Sequence, residues 1–337
     1  MTAASSSAGI SASAGMTADR KKEIIGLFIG IACLAYTLLT TPPAGINPTS
    51  WKTIGVTLLM AIWWMFEALP IAVTALVPLV LFPILGILDA KTVAPNYAQD
   101  LIWLFVGGFA LAYAMETWNL HRRVSLIVLK VCGTNPKMLV LGFMVATGFL
   151  SAWMSNTACA ALMMPIGMAI VKMVQEGEGR SEVEKRAALN FGICVMLGIA
   201  YAASIGGMAT LIGTPPNAVM AGQVEKMTGT PVPFANFMIV GAPISVVLLA
   251  ACWWLLPVMF PMKALDLSSA GAIVDDELEK LGPMSKGEKL TFALFLFTAL
   301  FWILRPQILD ALPPVMMAGK AVSLSKVMSD STVGMLA

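Results

Sequence analysis

Residues 138–174 read MLVLGFMVATGFLSAWMSNTACAALMMPIGMAIVKMV, an apolar run interrupted at its middle by Ser151-Ala152-Trp153-Met154-Ser155-Asn156-Thr157-Ala158. One helix crosses a hydrocarbon core of about 30 Å with about 20 residues, so this run holds two helical legs rather than one. Hydroxyl and amide side chains at that depth need partners. A turn there would also leave backbone amides and carbonyls unpaired, which is tolerated only where they line a cavity or hold a ligand. The segment therefore reads as a helical hairpin with its tip near Ser155–Thr157. Its ends emerge on one side whether the hairpin is re-entrant or a pair of full spans. The competing reading is a continuous helix in which Ser and Thr bond back along their own turn.

A second interruption follows at Ser204-Ile205-Gly206-Gly207-Met208-Ala209-Thr210-Leu211-Ile212-Gly213-Thr214-Pro215-Pro216-Asn217. Two adjacent prolines remove two backbone donors and clash with the preceding turn, so a regular helix cannot run through them. The glycines permit close backbone approach, and Thr214 and Asn217 place polar groups on either side of the prolines. The plainer alternative is a proline kink. Two breaks in one apolar chain are the pattern of a carrier whose site is built from discontinuous helices, whereas a channel favours a polar stripe along a pore. Carbonyl oxygens with an Asn side-chain oxygen suit a hard cation such as Na⁺. Exposed amides at the start of a returning helix suit a carboxylate.

The remaining sequence agrees with a membrane setting. Of the 337 residues, 58% are hydrophobic and 12% charged, and the mean hydropathy is +0.83, too apolar for a soluble domain of ordinary composition. The runs are long and unalternating, which excludes barrel strands and predicts an all-α polytopic membrane protein. A net charge of +2 spread along the chain offers no nucleic-acid surface. Cys33, Cys132, Cys159, Cys194 and Cys252 lack metal or paired spacing and read as small core residues. The single histidine, His121, stands beside Arg122 and Arg123 and reads as interfacial or solvated. Histidine-based catalysis and a zinc site are thereby disfavoured, and no enzyme is expected.

Crossings are expected at about 24–41, 51–67, 70–87, 101–117, 188–225 (broken), 236–260 and 290–304, beside the hairpin. Arg20, Lys21 and Lys22 before the first crossing place the N-terminus in the cytoplasm of an inner-membrane protein, and most of the other basic residues then fall on the same side. The expected organisation is a disordered cytoplasmic tail over 1–23, scaffold-type helices over 24–117 and an amphipathic surface arm over 118–137. A transport-type segment follows over 138–232, then a membrane helix over 233–262, a cytoplasmic loop over 263–289 and the start of a second repeat over 290–337. Gln175–Arg186 reads as another solvated loop.

The Ser155-Asn156-Thr157 tip and the Gly213-Thr214-Pro215-Pro216-Asn217 break resemble the divalent-anion/sodium symporter family of di- and tricarboxylate carriers. So do Phe66-Glu67-Ala68-Leu69-Pro70-Ile71-Ala72-Val73-Thr74-Ala75 and Trp103-Leu104-Phe105-Val106-Gly107-Gly108-Phe109. The resemblance runs from about residue 20 to the end. It implies a homodimeric, elevator-type secondary carrier that imports succinate, malate, fumarate or a similar dianion together with Na⁺. By the same resemblance Ser151, Ser155, Asn156 and Gly213 match positions that hold a sodium ion, and Ser155, Asn156, Thr157, Thr214 and Pro215 match the substrate-carboxylate contacts. The family's second, inverted repeat has no counterpart here, and Ser331-Thr332-Val333-Gly334-Met335-Leu336-Ala337 looks like the opening of another membrane helix. The chain thus reads as the first part of a longer, truncated carrier. The alternatives are a sodium-independent dicarboxylate exchanger of the same family and an inactive fragment with a structural role.

Overall fold

The structure, a computed structural model, describes residues 18–176, 181–262, 265, 267, 270–317 and 320–336. Most of the tail expected over 1–23 and the middle of the loop after Gln175 lie outside the described residues, as do Lys263, Ala264, Asp266, Ser268 and Ser269. The chain forms two compact units that divide between Gln99 and Asp100.

In the first unit, α1 (Ala18–Leu39) and α2 (Pro48–Met65) form a helical hairpin. Residues 18–23, assigned to the tail by their charge, are already helical, with Asp19 in the first turn of α1 favouring its positive end. Asn47 caps α2 by accepting from the Thr49 amide at 2.9 Å. The Trp63 indole donates to the Leu27 carbonyl at 3.2 Å and ties the two helices. The single crossing expected over 70–87 is instead two short helices, α3 (Ile71–Ala75) and α4 (Val77–Ile84). Pro78 in the first turn of α4 carries no amide to continue the ladder from α3. A short α5 (Ala90–Val93) leads into a 3₁₀ turn at Ala94–Tyr97, where the Tyr97 hydroxyl donates to the Ala75 carbonyl at 2.8 Å.

The second unit begins with α6 (Asp100–Thr117) and α7 (Leu120–Cys132), followed by α8 (Pro136–Ser151), α9 (Asn156–Gln175) and α10 (Glu182–Gly207). After a break come α11 (Pro215–Thr228), α12 (Phe234–Met259), α13 (Ala270–Leu281) and α14 (Lys286–Asp310). The chain then runs through an antiparallel pair, β1 (Val315–Met317) and β2 (Lys320–Val322), into α15 (Leu324–Val327) and α16 (Asp330–Leu336). Six helices of the described chain are long and apolar enough to cross a membrane. The architecture is the expected helical one, with β1–β2 as its small exception.

Three boundaries depart from the sequence reading for a local reason. A capping box at Ser181/Glu184 starts α10 at Glu182 rather than 188, and a second at Ser285/Glu288 starts α14 at Lys286. Much of the 263–289 stretch, read as a loop from its charges, is helix α13. Ala270 and Val274 bury one face of it while Asp275, Asp276 and Glu277 keep the other polar.

The largest core cluster joins α8, α9 and α10 through Phe143, Met144, Met163, Phe191 and Val195, with Leu126 and Leu129 of α7 and Val274 of α13 on its edge. Within a membrane such packing gains little from excluding water, so close backbone approach and a few polar links carry more of the specificity. Arg123 of α7 supplies one link. It is ion-paired with Glu288 of α14, and its Nη2 also donates to the Gly282 carbonyl at 2.9 Å. His121 is buried, not solvated, with Nδ1 3.0 Å from the Met115 carbonyl oxygen. The left-handed Asn119 between α6 and α7 turns the start of α7 back against the end of α6 and so covers the ring.

Candidate functional site

The chain leaves the helical state between Ser151 and Asn156 and again between Gly207 and Pro215. Both competing readings therefore fail. Ser155 does not bond back along a continuous helix; it stands in extended conformation (φ −64°, ψ 142°) and its Oγ accepts the Ala158 amide at 3.3 Å, capping α9. The prolines do not merely kink a helix, because α10 has already ended and Pro215 and Pro216 open α11, the place where missing amides cost least.

The two breaks pack on each other. A Cβ on Gly207, the last residue of α10, would collide with the Asn156 amide oxygen, and one on Gly213 would collide with the Gly207 carbonyl. A Cβ on Gly206 would likewise strike the Gly148 carbonyl of α8. Only glycine permits these approaches. The Thr210 hydroxyl donates to the Ala152 carbonyl and accepts the Gly213 amide at 3.2 Å, tying the unwound strand to the hairpin tip. Asn217 Nδ2 donates to the carbonyls of Gly207 at 2.9 Å and Thr210 at 2.7 Å, spanning the break. Thr210 is absent from the expected site residues and Asn217 appears there only as a flanking polar group. Their role depends on which carbonyls the unwound chain presents, and no spacing rule reports that.

Ser151, at the end of α8, is fully buried. Its Oγ lies 2.8 Å from Asn156 Oδ1 and 2.6 Å from the Ala203 carbonyl oxygen. A hydroxyl has a single proton, so with the amide oxygen of Asn156 turned toward Ser151 it cannot satisfy both acceptors. Three oxygens thus converge where one proton is shared. The C-terminal, negative end of α10 meets the tip here, through the contact of Gly207 with Asn156. That field adds to the preference for a cation.

The remaining candidates lie at helix starts. Ser155 and Thr157 are exposed at the start of α9, and Pro215 is exposed at the start of α11. Thr214 is extended (φ −151°, ψ 140°) at the head of α11 and its side chain caps nothing there. Amides at the head of a helix attract anions. The structure therefore joins Ser151, Asn156 and Gly213 in one packed cluster and sets Ser155, Thr157, Thr214 and Pro215 at the heads of the two following helices. Behind the tip, α8, α10 and α12 enclose a crevice of about 530 Å³ lined by Gly148, Ala152, Trp153, Gly206, Thr210 and Met238, among others. None of the expected site residues lines it, and its walls are too apolar for a dianion.

The family described as the sodium:sulfate symporter transmembrane region matches residues 21–336. A sodium-dependent dicarboxylate transporter, SdcS, of Staphylococcus saprophyticus subsp. saprophyticus is 38% identical over 288 residues, covering 85% of this chain. The protein of the same name in Staphylococcus aureus strain USA300 is 40% identical over the same extent. The chain spans about half the length of these relatives, 55% in each case. The match bears out the resemblance carried by the hairpin tip and the proline break: the chain is a multi-pass membrane protein and belongs to the sodium:sulfate symporter family, the divalent-anion/sodium symporters.

Proposed function

We propose that this chain supplies the first half-site of a sodium-coupled dicarboxylate carrier. One observation carries the reading: the convergence of Ser151 Oγ, Asn156 Oδ1 and the Ala203 carbonyl at the junction of the two breaks. The named activity of the relatives agrees with it.

In this reading Ser151, Ser155, Asn156 and Gly213 hold a sodium ion, while Ser155, Asn156, Thr157, Thr214 and Pro215 receive a substrate carboxylate such as that of succinate, malate or fumarate. None of the seven residues carries a positive charge. A dianion then has the heads of α9 and α11 and the co-bound cation to offset its charge, which favours coupling to Na⁺ over sodium-independent exchange. The membrane is the inner membrane and the N-terminus is cytoplasmic, in keeping with Arg20, Lys21 and Lys22. The hairpin is re-entrant, the transport-type segment over 138–232 moves elevator-fashion against a scaffold over 24–117, and two copies form a homodimer.

Uptake of radiolabelled succinate into proteoliposomes holding the full-length carrier of which this chain forms the first half, with and without an inward Na⁺ gradient, tests the function. Uptake that requires Na⁺ supports it, and equal exchange without Na⁺ overturns the coupling. Thiol labelling tests the arrangement: cysteines placed at Lys137 and Lys172 should react from the cytoplasmic side alone, and one at Ala158, beside the tip, should react when succinate is absent. Equal labelling at 158 with saturating succinate counts against a ligand at the tip.

A further inference from the structure

Between Ser151 and Ser155 stands Trp153, a large ring at the point where the hairpin turns. It lies 6.0 Å from Phe234 at the head of α12 and 6.5 Å from Trp302 of α14, the two indoles tilted by only 7°. Phe234 and Trp302 are themselves 4.9 Å apart, so the three rings form one cluster in which each faces the other two, and Phe295 meets Trp153 edge-on at 5.0 Å. Stacked rings are held against sliding by their quadrupoles as well as by their area.

The cluster is anchored from behind by one residue. Asp330, buried at the start of α16, has its Oδ1 2.6 Å from Arg305 Nε, an ion pair without the alignment of a hydrogen bond. Its Oδ2 accepts the Phe234 amide at 2.7 Å, satisfying a donor at the head of α12 that the helix itself leaves orphaned. Its carbonyl accepts the Trp302 indole at 2.8 Å. Arg305 Nη1 donates further to the carbonyls of Ser325, at 3.0 Å, and Met328. One residue thus sets the position of two of the three rings on which Trp153 rests.

We infer that Asp330, acting through Trp302, Phe234 and Trp153, is a positioning residue for the hairpin tip, fixing the place of Ser151 and Asn156 without touching a ligand. The inference rests on the reading of that tip as the ion site. A tip free to shift by a fraction of an ångström would lose oxygen convergence and, with it, cation affinity.

The test uses two variants placed in the reconstituted full-length carrier of which this chain forms the first half. Trp302→Phe keeps a ring and removes the donor to the Asp330 main-chain carbonyl; Asp330→Ala removes the side-chain acceptor for the Phe234 amide. In both, the half-saturating Na⁺ concentration for succinate uptake should rise by about fivefold, the scale of one lost hydrogen bond, while the saturating rate per folded protein is retained. A merely structural role would lower the amount of folded protein and leave that concentration unmoved. In parallel, spin labels at Thr157→Cys and Leu296→Cys, with the five native cysteines replaced, should give a broader distance distribution in either variant. Either an unchanged distribution or an unchanged half-saturating concentration overturns the inference. If the wild-type protein takes up no succinate with Na⁺, the functional reading falls instead, and the distance distribution alone decides the positioning role.

Discussion

Ser151 Oγ and Asn156 Oδ1 are 2.8 Å apart across the hairpin tip, and the Ala203 carbonyl oxygen lies 2.6 Å from the same hydroxyl. Removing one oxygen from this cluster without changing its packing is the most direct probe of the cation reading. Ser151→Ala should raise the half-saturating Na⁺ concentration about tenfold or more, the scale of one lost contact to a charged group. Asn156→Ala should weaken Na⁺ and succinate together, because it removes an ion ligand beside the carboxylate contacts. A sodium titration of succinate uptake measures both, and survival of transport with its sodium dependence in Asn156→Ala would reject the tip as the site.

Gly207→Ala would ordinarily help a helix, by roughly 0.5–1 kcal/mol. Here the new methyl would meet the Asn156 amide oxygen. The expected outcome is a protein that remains folded and loses sodium-driven uptake, read by comparing thermal unfolding with transport on one preparation.

Thr210→Val keeps shape and removes the hydroxyl that bonds both the Ala152 carbonyl and the Gly213 amide. The Ala152 carbonyl then loses this donor in a buried place and the Gly213 amide keeps only the Thr210 carbonyl at 3.4 Å, at a cost of about 1–3 kcal/mol. The melting temperature in detergent should fall accordingly. No change would mean that the break and the tip are joined by other contacts.

The ion pairs of α7 separate by burial. Arg123–Glu288 has side chains only 12% and 5% exposed, so Glu288→Gln leaves a buried cation uncompensated and should cost about 3–5 kcal/mol. Arg122–Glu277 is far more open, at 39% and 21%, and Arg122→Ala should cost below about 1 kcal/mol. Thermal unfolding of the two variants side by side tests the contrast.

The Lys280 ammonium, with the Arg122 guanidinium, holds the Glu277 carboxyl below its ordinary 4.5. A lowered carboxyl stabilises the folded state above its unfolded value, and that contribution disappears as pH falls through the folded value. Wild type and Glu277→Gln should therefore differ slightly in melting temperature at neutral pH and converge under acid. A difference that widened on acidification would contradict this sign.

Much of the architecture is legible in the sequence, for physical reasons that act locally. Apolar length predicts helices that can cross a membrane, and paired prolines at 215–216 forbid a continuous helix. Hydroxyl and amide residues at 151–157 mark a place where an apolar run cannot stay regular. Those constraints placed both breaks and the residues at their edges. The sequence reading missed the helix at Ala270–Leu281 and the split between α3 and α4, where charge and apolarity masked short-range periodicity. Tertiary structure alone decided which side of each break faces the other. That Gly207 sits against Asn156, that Thr210 reaches Ala152, and that Asp330 anchors the rings beneath Trp153 are contacts between residues about 50 to 150 positions apart. Such contacts arise from the packing of whole helices, where one glycine or one indole determines the approach, and no periodicity along the chain encodes them.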